Sequence, residues 1–246
     1  MSVRYYPNRV QKGVQPAIDK IMAKRSPKTI TKRQNIAATA IDYLCSSTKN
    51  WQLDSIAFTF SSATARNYSV KIKNGRNVLT DLNDYLWFAI DATGPEMITL
   101  NPGFYTGTQL AAELKARMDA NTSFSAAGVT FAVTYNSTTG IYTITPSSGT
   151  IKYLNVNTAQ TLQTRDSIAG HLFGMTADIG FAANVTSNEA VAGLDSEAAF
   201  ITETADVVLD RYHDDVHTLT MDQAVHVQSN TANVIVDYSI TYEELV

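Results

Sequence analysis

The chain has 246 residues, 44% of them apolar and 17% charged, with a formal net charge of −4. That length buries a real core, as one large β-rich domain or two small ones. The charged share falls below the roughly one quarter usual in soluble domains, and Thr, Ser, Asn and Ala fill the difference. No apolar run approaches the ~18 residues of a membrane span, and no secretory leader is expected, because residues 4–9 are followed by charge. The single Cys45 excludes an intrachain disulfide and most cysteine-built metal sites.

The charge is unevenly spread. Residues 1–33 carry nine basic side chains (Arg4, Arg9, Lys12, Lys20, Lys24, Arg25, Lys28, Lys32, Arg33) against Asp19 alone, a net +8. The remainder carries ten basic and twenty-two acidic side chains, a net −12. A basic arm on an acidic body is a pattern for binding nucleic acid or an acidic partner; equal alternatives are an arm lying across a neighbouring copy's acidic surface and a solvated, Lys-rich terminus. No aromatic residues interleave the basic ones after Tyr6, so single-strand stacking is not expected. Zinc-finger and helix-turn-helix spacings are absent too. Tyr5 and Tyr6, before Pro7, are two anchoring rings. Residues 16–24 predict a short helix with Ile18, Ile21 and Met22 on one stripe, broken at Ser26-Pro27. Thr31 then caps a second predicted helix over residues 32–45, with Ile36, Ala40, Ile41 and Leu44 as its stripe. Residues 1–48 therefore read as a basic, partly helical N-terminal arm and residues 49–246 as a β-rich body. The body is expected to fold without residues 1–33.

Residues 51–100 read as a strand meander. In residues 51–60 the apolar phase shifts at Asp54-Ser55, which predicts a bulge or a bend. Residues 68–73 alternate, with Tyr68, Val70 and Ile72 inward and Lys71 and Lys73 outward. Asn74-Gly75 signals a tight turn, and residues 79–82 and 85–90 supply the next strand around Trp87 and Phe88.

Residues 98–175 follow a more legible order. A short strand (residues 98–100) leads through Asn101-Pro102-Gly103-Phe104-Tyr105 to a helix capped by Thr106 or Thr108. Leu110, Leu114 and Met118 are its buried stripe, and it stops near Asn121. Residues 129–135 and 141–145 form a hairpin whose loop places Gly140 where positive φ is tolerated. An apolar segment, residues 167–175, closes the unit.

This order, carried by residues 101–105, Leu110, Leu114, residues 131–135, 140–144 and 172–174, resembles a module of virion structural proteins of double-stranded DNA viruses, among them tailed-phage capsid, neck and tail proteins. It covers about a third of the chain. Such modules often end Leu-Gly-Phe, where this chain has Leu172-Phe173-Gly174-Met175. The resemblance implies a structural role with no catalytic residues. Its expected partners are copies of the chain and other virion proteins (major capsid, portal or neck, tail), with non-specific contact to packaged DNA.

Beyond Met175, residues 176–194 lack a sustained period and read as a long loop. Short strands follow near residues 200–202, 207–212 and 224–227. In residues 234–242 Val234, Val236, Tyr238, Ile240 and Tyr242 share one face, a half-buried antiparallel strand. The expected fold is mainly β, an antiparallel, sandwich-like body with one central helix.

Phosphate loops, dinucleotide turns and nucleophile elbows are absent. One constellation has ligand chemistry: on a strand, His213, Asp215 and His217 share a face suited to a divalent metal, with His226 as a fourth candidate. A polar loop explains the same residues. No cofactor is expected. Three functions compete: a virion structural subunit assembling through its arm and loops into a capsid-vertex, neck or tail oligomer; a receptor- or glycan-binding virion module using residues 176–199; and a small metal-dependent hydrolase using the His/Asp cluster.

Overall fold

The computed structural model describes residues 28–36, 42–44, 51–61, 66–155, 167–205, 208–213, 217–219, 222–229 and 234–244. The chain opens with β1 (Lys28–Ile36), β2 (Asp42–Leu44), β3 (Trp51–Ser61) and β4 (Arg66–Asn74). Two expectations are corrected here. The helix predicted over residues 32–45 is replaced at both ends by strands, because the long-range ladders that β1 and β2 join outweigh a helix pattern resting on a few alanines. Residues 51–100 are also no meander: β3 and β4 lie in different sheets and pair with strands from the end of the chain.

After β4 the chain leaves these sheets for about half its length. The departing segment holds β5 (Arg76–Val78), β6 (Tyr85–Ile90), β7 (Thr93–Thr99) and β8 (Gly103–Tyr105). Then come α1 (Gly107–Asp119), α2 (Thr122–Ala126), β9 (Phe131–Asn136), β10 (Ile141–Pro146) and β11 (Ile151–Leu154). A 3-10 turn (Gly170–Phe173), β12 (Ile179–Ala182) and β13 (Val185–Thr186) complete it. Residues 79–82 form a turn rather than a strand, and the expected loop over residues 176–194 contains two short strands.

This inserted unit has its own core. Its sheets run β12-β11-β6-β7 and β13-β10-β9, with β5 beside β8. Among the residues whose side chains are described, every member of the main buried cluster lies from Val78 to Leu194. Thr106 caps α1 as expected: its hydroxyl accepts from the Gln109 N–H while the Gln109 carboxamide accepts from the Thr106 N–H. Leu110, Leu114 and Met118 are fully buried and α1 packs on β9; each such side chain contributes about 1.5–3 kcal/mol. Asn121 ends the helix and caps α2, accepting from the Ser123 and Phe124 N–H groups. The resulting turn packs the Phe124 ring 5.4 Å from Phe131. Gly140, at φ +72°, is required in the hairpin loop, since a Cβ there would stand 2.6 Å from the Ala192 nitrogen.

The chain then returns through β14 (Glu197–Ala205), β15 (Val208–His213), β16 (His217–Leu219), β17 (Gln223–Ser229) and β18 (Val234–Glu244). Among the described residues, one sheet has the order β1-β18-β3-β15, with β16 continuing β15 along β3. The other has β14-β4-β17-β2. All pairings are antiparallel, and the chain alternates between sheets at nearly every step. That order is the strand order of a jelly roll, interrupted between its fourth and fifth strands by the inserted unit. The expected bulge is present on β3: Ser55 faces Thr241 and Leu53 faces Tyr242, leaving Asp54 without a partner. The fold is mainly β, built from antiparallel sheets with one main helix. Because β1 starts at Lys28, residues 28–33 belong to a sheet and cannot be removed as an appendage.

Candidate functional site

The inserted unit joins the roll at a narrow neck. Lys73 on β4 pairs with Glu197 on β14, so the chain departs and returns side by side. Asn74 donates to Ser196 twice, from its backbone N–H to the carbonyl at 3.1 Å and from its side-chain amide to the hydroxyl at 2.7 Å. The next residues are tied to the start of β17. The Gly75 N–H donates to the Asp222 carbonyl at 2.8 Å, Arg76 Nη1 lies 2.7 Å from Asp222 Oδ2, and the Gln223 amide donates to Asn74 Oδ1 at 3.0 Å. Asn74-Gly75 is therefore a corner between sheets and not the hairpin turn its sequence suggests. Glycine is needed there because a Cβ would meet the Tyr105 carbonyl at 2.4 Å.

The returning chain is fixed to the insertion. Asp195 accepts from the Thr108 N–H at 3.0 Å and from its hydroxyl at 2.6 Å, in the first turn of α1. The Tyr135 hydroxyl donates to the Val191 carbonyl at 2.8 Å and accepts from the Leu194 N–H at 3.3 Å.

A cavity opens at this neck. Leu79, Leu82 and Leu172 supply its apolar lining, and Arg76, Asp222 and His171 supply polar walls. Leu82 is 62% exposed, a large apolar side chain standing in solvent beside Asp81. Asp84 is buried; one of its oxygens accepts from the Asp81 N–H and the other has no hydrogen-bond partner. Within the lining the Arg76 and Asp222 charges offset each other, 2.7 Å apart. Partial burial holds the His171 imidazole below its ordinary value; the Ile168 backbone carbonyl opposes this, the Arg76 charge adds to it and Asp222 opposes it.

A second, shallower groove lies between β8 and α1, lined by Phe104, Tyr105, Gln109, Ala112 and Glu113. Burial and then the Glu113 charge push the Tyr105 phenol up, so it stays a neutral donor to the Asn101 carbonyl at 3.1 Å. Behind it the Tyr142 ring lies tilted against Tyr135 at 4.7 Å and edge-on to Phe173 at 5.0 Å. The Tyr142 hydroxyl is sealed there without a partner. It belongs to the core, and burial drives its phenol far up.

No protein-family model matches the chain, and no curated protein matches it. Among solved structures, the mavirus penton protein is similar at 8% identity, over 90% of this chain and 99% of that one, with a TM-score of 0.31. The two overlay too loosely for the likeness to bear on function.

Of the candidate arm residues, Arg4, Tyr5, Tyr6, Arg9, Lys12, Lys20, Lys24 and Arg25 lie outside the described residues. Lys28, Lys32 and Arg33 stand on β1 opposite Tyr242, Tyr238 and Asp237. His213 faces Ile56 and His217 faces Leu53 along β3, while Asp215 lies outside the described residues. His226 sits in the other sheet, between Tyr43 and Lys71. Among the described residues no group of three His, Cys, Asp or Glu side chains is placed to hold a metal, and no helix is long and apolar enough to cross a membrane. Sequence reading missed the neck residues Arg76, His171, Asp195 and Asp222. Their only local signal was Asn-Gly, which marks a change of direction without naming what meets there.

Proposed function

We propose that the protein is a non-catalytic structural subunit of a virus particle, assembling into a symmetric shell, vertex, neck or tail oligomer through its basic N-terminal segment and loops. The observation that carries this reading is the alternating strand order of the roll, an architecture used by viral capsid domains. Folds host many functions, and lectins use the same roll, so the basic segment selects between them. It feeds directly into β1, an edge strand, where a shell subunit carries an arm that reaches a neighbour. Partners on this reading are further copies, other virion proteins and, through charge alone, packaged DNA.

The test is the solution mass of the full chain across salt, with and without duplex DNA. DNA contacts through six to ten phosphates weaken by ~10³–10⁵-fold between 50 and 200 mM salt, whereas an apolar contact does not screen. A closed oligomer that survives about 1 M salt, with no DNA retained at about 100 mM, supports subunit-to-subunit assembly. A monomer under every condition defeats it.

A second reading is a receptor- or glycan-binding virion module. The half-exposed Phe104–Tyr105 groove, with Gln109 and Glu113 beside it, favours this reading. A glycan array with the Tyr105→Ala variant as control separates the two.

A further inference from the structure

We infer that the groove between β8 and α1 is a binding site for an uncharged pyranose ring. This rests on the glycan-binding reading above and names its ligand class. The groove holds about 360 Å³, within the range of small-ligand sites. Phe104 and Tyr105 give it an aromatic wall, and the small Ala112 leaves room between Gln109 and Glu113 on the helix side. An aromatic ring accepts the C–H face of a sugar, and a few fixed polar groups then take its hydroxyls.

Each polar side chain of the lining is already held by its own chain and keeps one atom to spare. The Gln109 carboxamide oxygen accepts from the Thr106 N–H at 3.0 Å, which leaves its amide hydrogens without a partner among the described residues. Glu113 Oε1 accepts from the Asn101 N–H and from Arg117 Nε, both at 2.8 Å, and Oε2 is likewise left over. The Tyr105 hydroxyl donates to the Asn101 carbonyl at 3.1 Å, which fixes its ring. One donor and one acceptor therefore stand a helical turn apart beside an aromatic wall, suited to two hydroxyls of one ring. None of these groups has to be ordered on binding, which removes a cost of association. Charge narrows the class. Glu113 is paired with Arg117, and no Lys, Arg or His lines the groove. The groove thus offers no unpaired cation to an acidic sugar and no unpaired anion to a basic side chain. All five lining residues belong to the inserted unit, so the site leaves the strands of the roll to the shell.

The test titrates the full-length chain with the methyl glycosides of glucose, galactose and mannose, with sialyllactose and trilysine alongside. At least one neutral glycoside is expected to shift the Phe104 and Tyr105 ring resonances saturably at millimolar concentration. Ala112→Trp fills the groove from an exposed helix position, which spares folding, and is expected to weaken that binding by about tenfold or more. Binding that Ala112→Trp leaves unchanged puts the sugar elsewhere; it overturns the inference while the glycan-binding reading stands. Sialyllactose or trilysine bound more tightly than every neutral glycoside overturns the ligand class. No response to any probe overturns the inference, and a blank glycan array beside it ends the glycan-binding reading as well.

Discussion

Asp195 receives two hydrogen bonds from one residue, Thr108, through its backbone N–H and its hydroxyl. The carboxylate thus satisfies an orphan donor in the first turn of α1 and sits favourably at the positive end of that helix. It also lies one residue before Ser196, so it clamps the insertion's main helix to the returning strand. Asp195→Ala should cost about 1–2 kcal/mol in urea unfolding, and Asp195→Asn should recover part of it. A change below the level of surface substitutions, ~0.5 kcal/mol, would show that Ser196 and Tyr135 hold the neck unaided.

Leu110 and Leu114 are fully buried against β9 and the surrounding core. Either one changed to Ala should destabilise the protein by about 2–5 kcal/mol through lost burial and a cavity. Thermal unfolding followed by near-ultraviolet circular dichroism reads this directly.

Gly75→Ala should be costly for a different reason. The backbone there is unstrained, and the added Cβ would press on the Tyr105 carbonyl and the Phe104 ring. A penalty of about 1–3 kcal/mol is expected. Hydrogen exchange should quicken first in the paired amides of β5 and β8. Equal protection of those amides in both proteins would refute the close approach.

The neck should loosen in acid. His171 is held below its ordinary value of 6.5, chiefly by burial, so the unfolded chain binds a proton more readily than the folded one just below that pH. Stability from this group is therefore complete above about pH 6.5 and declines as pH falls through and below it. Proton exchange data on His171 should give a folded midpoint under 6.5. His171→Gln should flatten that part of the stability profile while leaving the neutral-pH value nearly unchanged.

Much of the local structure was legible because it is written in short-range chemistry. Thr106 with Gln109, the Leu110–Leu114–Met118 stripe, Gly140 and the Asp54 bulge each depend on residues within a few positions. Partner choice does not. Nothing near Trp51 or Tyr68 announces that β3 pairs with β18 and β4 with β14, so adjacent strands were read as neighbours. Lys32 and Ile36 fitted a helix until the ladder of β18 claimed them. The same limit governs the site. The charge of the arm is plain in the sequence, but the cavity is built from Leu79, Leu172 and Asp222, three segments that meet only in the fold. The truncation that spares the β1–β18 ladder is accordingly at residue 27 and not at 33, and a chain lacking residues 1–27 should fold and fail to assemble.

The two bonds between Asn74 and Ser196 also bring the two ends of the insertion side by side. Excising residues 75–195 and joining Asn74 directly to Ser196 would leave Lys73 opposite Glu197, a β-hairpin closed by two residues, the shortest loop such a pair accepts. With Ser196→Gly that loop becomes Asn-Gly, the sequence best suited to it. The neck is thus a socket, able to release one domain and receive another whose ends lie a strand's width apart.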